Sequence, residues 1–98
     1  MKTLDINSKT WFDKINGNSY FASKLIIDYG TEKEKTIKLP FQYGYGSQDE
    51  SEAKAVLTEK NLISTDYGQS LKKYCEDNGI IFRHSMQKNC KKSELKNI

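Results

Sequence analysis

"LPFQYGYGSQDESEAKAVL", residues 39–57, packs three aromatic residues and two glycines ahead of an acidic, alanine-containing stretch. Three structures would use such a segment: a phosphate-binding loop, a surface that stacks nucleotide bases, or the corner between a strand and a helix. A Walker loop needs G-x-x-x-x-G-K-[ST], and a dinucleotide fingerprint needs G-x-G-x-x-G after a parallel strand. Here Gly44 and Gly46 have no third glycine and no lysine beside them, and Asp49, Glu50 and Glu52 would repel a phosphate. Base stacking would use Tyr43 and Tyr45, joined by Tyr20 or Trp11 on an open sheet face. A basic groove for it is missing, because Lys14, Lys24 and Lys38 each have acids nearby. The corner is the simplest: the glycines let the chain leave a strand and turn sharply into a helix, while the tyrosine rings cover the end of the core with their hydroxyls in water. Tyrosines on a rigid corner also suit a protein interface, so Tyr43, Tyr45, Tyr20 and Trp11 are the candidate partner-binding residues.

Upstream of this corner the chain reads as a sheet. "TWFDKINGNSYFASKLIIDYG" is a β-hairpin, with Asn16-Gly17 suited to the positive φ of a tight turn. Phe21, Leu25 and Ile27 alternate onto one face, and Trp11 and Phe12 point to opposite faces. Gly30 in "YGTEKEK" allows a second reversal. "KTIKLPFQY" then places Ile37, Leu39 and Phe41 on one face, and Pro40 marks an edge strand or a strand end.

Downstream, Ser47 and Glu50 form an S-x-x-E capping box for a helix over roughly residues 48–60, with Ala53, Val56 and Leu57 as its apolar stripe. Ser64 or Thr65 can cap a second helix carrying Tyr67, Leu71, Tyr74 and Cys75 on one face, and Asn78-Gly79 stops it. "IIFRHS" follows as a short fourth strand beside one of the first three. The order β-β-β-α-α-β predicts an α+β two-layer sandwich, an antiparallel sheet with two helices packed on one face. The predicted domain spans residues 1–85, followed by a basic, flexible tail over 86–98.

Charge supports that boundary. Lys88, Lys91, Lys92 and Lys96 stand against the single Glu94 in the tail, which therefore holds the whole net charge of +3. These lysines are the candidate nucleic-acid contacts if the chain binds one. With 36% hydrophobic and 30% charged residues, and no apolar run near the roughly 20 residues of a membrane helix, no membrane association is expected. "MKTLDINSKTW" lacks an apolar core behind its lysine, so no signal peptide is expected and the host cytoplasm is the predicted location. Cys75 reads as a core residue and Cys90 as an exposed thiol. With a single histidine and no C-x-x-C, neither a metal nor another cofactor is expected.

Residues 10–60, through "W-x-D-x-x-NGN-x-Y" and "PFQYGYG", resemble a group of small proteins encoded in bacteriophage genomes. The resemblance implies a phage or prophage origin and a small α+β domain; it carries no activity and no catalytic residues. Small phage proteins of this kind often bind and block a host protein, as counter-defence (anti-CRISPR-like) inhibitors do. Catalysis would need a base, a nucleophile or a metal within mutual reach. His84 lies between Arg83 and Ser85 on a predicted short strand, where an imidazole alone does not make a dyad, and Asp13 and Asp28, which could face each other across the hairpin, read as solvated sheet-face charges, so a non-enzymatic protein is predicted. Two functions follow: a modulator of a host protein, with an exposed sheet edge also able to pair with a second copy, or a nucleic-acid-binding accessory domain using the sheet aromatics and the lysine tail.

Overall fold

The computed structural model describes all 98 residues. Four strands, β1 (Thr3–Asp13), β2 (Asn18–Ile27), β3 (Lys35–Tyr43) and β4 (Ile81–Gln87), form one sheet in the order β3-β2-β1-β4. Three helices, α1 (Gln48–Glu59), α2 (Leu71–Asp77) and α3 (Lys92–Lys96), complete a mixed α+β fold.

Alternation builds the sheet. Leu4, Ile6 and Ser8 of β1 and Phe21, Ser23, Leu25 and Ile27 of β2 are all buried. Their antiparallel register pairs Leu4 with Ile27, Ile6 with Leu25 and Ser8 with Ser23. The hairpin loop is four residues, Lys14 to Gly17, rather than the tight pair Asn16-Gly17. Asp13 explains the difference. Its carboxyl accepts hydrogen bonds from the Asn16 side chain (2.8 Å) and from the Ile15 and Asn16 backbone N–H groups, and Gly17, at φ +70°, donates to the Asp13 carbonyl. These bonds, the Asn16 side chain first, hold the Asp13 carboxyl below its ordinary pKa. Asp28 lies at the other end of the sheet, where it accepts from the N–H groups of Lys2 and Thr3, so the two carboxylates do not meet.

Three features depart from the alternation read in the sequence. A β-bulge sets Pro40 and Phe41 against the single Ala22, since Phe21 pairs with Gln42 and Ser23 with Leu39. Ile37 and Leu39 remain on the helix-covered side, but Phe41 moves to the opposite face, where its ring stacks on Tyr20 at 4.9 Å. Second, the sheet is mixed rather than antiparallel: β4 runs parallel to β1. The helical layer carries the chain back to the end where β1 and β3 begin, so β4 must run in their direction. Third, α2 starts at Leu71, because Ser70 caps it through the Lys73 N–H (3.1 Å) and Gly68 sits at φ +76°. Tyr67 therefore stands outside the helix, fully exposed.

The corner itself is a strand-to-helix turn. Gly46 adopts φ +62°, and Gly44 is buried so tightly that a Cβ would lie 2.7 Å from both the Phe21 ring and Gln48. Gly44→Ala is expected to destabilise the fold by about 1–3 kcal/mol, read as a lower urea midpoint, because the Phe21 ring beneath it has no room to move. The expected capping box is not formed: the Ser47 side chain makes no cap bond, and Glu50 instead accepts the Lys72 N–H, tying α1 to α2.

α1 and α2 cover one face through Ala53, Leu57, Leu71 and Cys75. Residues 86–98 are not a flexible tail. Cys90 donates its N–H to the Thr10 carbonyl, and Leu95 of α3 is fully buried against Ala22 and Cys90 on the opposite face of the sheet. Cys90, expected to be exposed, is buried there. The two predicted helices share one face, and the third helix adds a partial layer on the other. No helix is long and apolar enough to cross a membrane.

Candidate interaction surface

Two of the four aromatic candidates are covered and two are not. Trp11, Tyr20 and Phe41 form a ladder across β1, β2 and β3, with Trp11–Tyr20 centroids 5.5 Å apart. This ladder packs under the segment that holds Cys90, Leu95 and Ile98. Lys92 lies over the Trp11 and Phe41 rings at 5.6 and 5.9 Å, and Lys96 lies over Phe41 at 5.9 Å. The ammonium groups thus occupy ring faces on which bases would stack, a cation–π arrangement internal to the fold. Lys88 and Lys91 remain exposed beside it. The lysines and the aromatics meet, but as each other's partners.

Tyr43 and Tyr45 point to solvent, 60% and 72% exposed. Tyr43 keeps an edge contact with Tyr20 at 5.9 Å. The backbone below them is fixed by the buried Gly44, whose N–H donates to the Ser19 carbonyl at 3.0 Å. The hairpin loop lies at the same end of the sheet, because Tyr43 pairs with Tyr20, which pairs with Trp11. It adds Phe12, half exposed, and Ile15, 94% exposed. A groove of about 540 Å³ runs between this loop and residues 89–92, lined by Phe12, Ile15, Lys91 and Lys92 among others. One end of the sheet therefore offers two tyrosines, two bare apolar side chains and flanking lysines. Phe12 and Ile15 were missed in the sequence. An isoleucine in a turn, where polar residues are usual, is the signal that could have found Ile15.

A buried polar cluster lies under the helical layer. Asp49, 1% exposed, accepts a hydrogen bond from Ser8 Oγ at 2.6 Å and is 2.5 Å from His84 Nε2. Ser8 Oγ is in turn 2.6 Å from Ser23 Oγ. An aspartate, a histidine and a serine in contact invite comparison with a hydrolytic triad. There, however, the serine bonds to the imidazole and lies open to substrate. Here Ser8 bonds to the carboxyl group and is buried with Ser23, so its hydroxyl has no path to a substrate. The cluster instead joins β1, β2, β4 and α1 through one acceptor. No group of three or more His, Cys, Asp or Glu side chains could hold a metal ion. Compared with protein-family models, curated proteins and solved structures, the chain matches none.

Proposed function

We propose that this chain is a small non-enzymatic protein of phage or prophage origin that binds a host protein in the cytoplasm and modulates it, in the manner of a counter-defence inhibitor. One observation supports the binding role above the others: Tyr43 and Tyr45 are exposed on a corner that buried Gly44 makes rigid. Aromatic side chains that need little ordering on binding are favoured interface anchors. Phe12 and Ile15 are exposed apolar side chains at the same end of the sheet. The phage origin and the host target rest on the resemblance of residues 10–60.

The test is capture from host lysate on the tagged protein, split into nuclease-treated and untreated halves and washed at low and moderate salt. A stoichiometric protein partner is expected to survive both treatments. Replacing Tyr43 and Tyr45 with serine is expected to cost about 2 kcal/mol of binding per residue, roughly thirtyfold each. Fold stability should change by no more than about 0.5 kcal/mol per substitution, since neither ring is buried. If the double variant unfolds, the tyrosines belong to the core and the interface assignment fails. Material that leaves with nuclease or salt would instead mark a phosphate-driven complex, and Lys88 and Lys91 would be its exposed contacts.

A further inference from the structure

The two edges of the sheet are built differently. β3 carries Lys35 and Lys38, breaks its ladder at Pro40 and is bulged beside it, all devices that discourage another strand from pairing. β4 has none of them. Ile81–Gln87 contains no proline and no lysine, and its one cation, Arg83, is held by both carboxyl oxygens of Asp5 at 2.6 and 2.9 Å. Ile81 donates its N–H to the Lys2 carbonyl, so residues 81, 83, 85 and 87 turn their backbone groups toward β1. Phe82, His84 and Met86 turn theirs outward along the free edge, and no loop bonds to them.

We propose that β4 is a self-association edge: two copies pair β4 to β4 antiparallel about a two-fold axis at His84, joining two four-stranded sheets into one. Three features favour a second copy over any other strand. His84 is the midpoint of the seven-residue strand and is one of its outward-facing residues, so a two-fold axis there overlaps the whole strand and closes every free backbone group against its own symmetry mate. About six hydrogen bonds follow from the three outward-facing pairs. The register also sets Phe82 opposite the partner's Met86, an apolar aromatic–sulfur pair, on the face that Leu4 and Ile6 already bury. It sets Arg83 opposite the partner's Ser85 and Ile81, which is largely exposed, opposite the partner's Gln87, so the two copies' one strand cation, Arg83, never opposes itself. The tyrosine corner lies at the far edge of each copy and stays free.

Light scattering on the full chain across a range of concentrations tests this. A mass of two chains is expected. Met86→Pro removes an outward-facing N–H while leaving the β1–β4 ladder intact, and should weaken the dimer at least tenfold while circular dichroism shows a folded protein. Should that variant fail to fold, Ser85→Arg serves instead: it sets two cations against each other on both sides of the two-fold axis and should also weaken the dimer at least tenfold. A monomeric mass up to roughly 1 mM overturns the proposal, since specific self-pairing would show well below that concentration. A dimer that a folded Met86→Pro protein and Ser85→Arg both leave unchanged overturns it equally, by placing the contact elsewhere.

Discussion

Replacing Asp49 with alanine is expected to destabilise the fold by about 3 kcal/mol, a larger loss than any surface acid would give. One carboxyl group serves Ser8 and His84, and through Ser8 it orders Ser23; the carboxyl group and both serines are buried, while His84 on the edge strand is partly exposed. Removing it leaves a hydroxyl without its acceptor in a site that water does not reach, together with a small void. For a chain of this size, a loss of that order lowers the melting temperature by more than 10 °C, taking roughly 4–8 °C per kcal/mol. Asp49→Asn is the informative companion. Its Oδ1 can still accept the Glu50 N–H, which Asp49 accepts at 2.8 Å, and its amide can donate to Ser8 and to an unprotonated His84 Nε2. The asparagine variant is therefore expected to recover at least half of the alanine loss. A loss as large as alanine's would mean that the His84 Nε2 is itself the donor, and that a carboxyl oxygen is required opposite it.

Leu95→Ala should produce an effect of similar size but of a different kind. A fully buried leucine is worth about 2–5 kcal/mol against alanine. Leu95 belongs to a five-residue helix that is held to the sheet chiefly by it, by Cys90 and by Ile98. A short element with so few anchors can open on its own before the rest of the molecule does. The expected outcome is release of residues 90–98 with the main core kept. The chain has a single tryptophan, so the release is directly readable: Trp11 emission should shift to longer wavelength and become open to acrylamide quenching. Retained far-ultraviolet dichroism with shifted emission supports the account. Cooperative loss of both signals at one midpoint would show that this segment is part of the global folding unit instead.

The strands around the central hairpin were legible because alternation is local: Leu25, Ile27, Ile37 and Leu39 fall where their spacing puts them, whereas the first half of β1, with Leu4 and Ile6, was not read as a strand. Phe41 was not, because a bulge changes parity and depends on how β3 meets β2 rather than on β3 alone. The parallel pairing of β4 with β1 was equally hidden, since its register joins residues nearly eighty positions apart, Thr3 with Ile81 onward. The corner at Gly44 and Gly46 could be read from steric needs, but the rings of Tyr43 and Tyr45, expected to cover the end of the core, stand in solvent instead. The polar cluster could not, because Asp49 looked like an ordinary acid in a first helical turn. Its trace was nevertheless present: Ser8 and Ser23 stand at the core parity of their strands, and buried hydroxyls require an acceptor from elsewhere in the fold. α3 was masked by composition, because four lysines obscured the apolar trio Cys90, Leu95 and Ile98.

The two cysteines lie on opposite sides of the sheet, Cys75 within the helical layer and Cys90 beneath α3. Burial pushes the Cys75 thiol up to about 11, so at neutral pH it offers almost no thiolate while the layer is closed. Alkylating reagents attack thiolates, and the covering layers leave Cys75 no exposed surface and Cys90 only 6%, so layer opening governs how fast either sulfur reacts. The molecule thus carries two native clocks, one on each face. Pulse-alkylation followed by mass spectrometry would time the opening of each layer separately, in unaltered protein, and a partner that seals one face would slow only one of them.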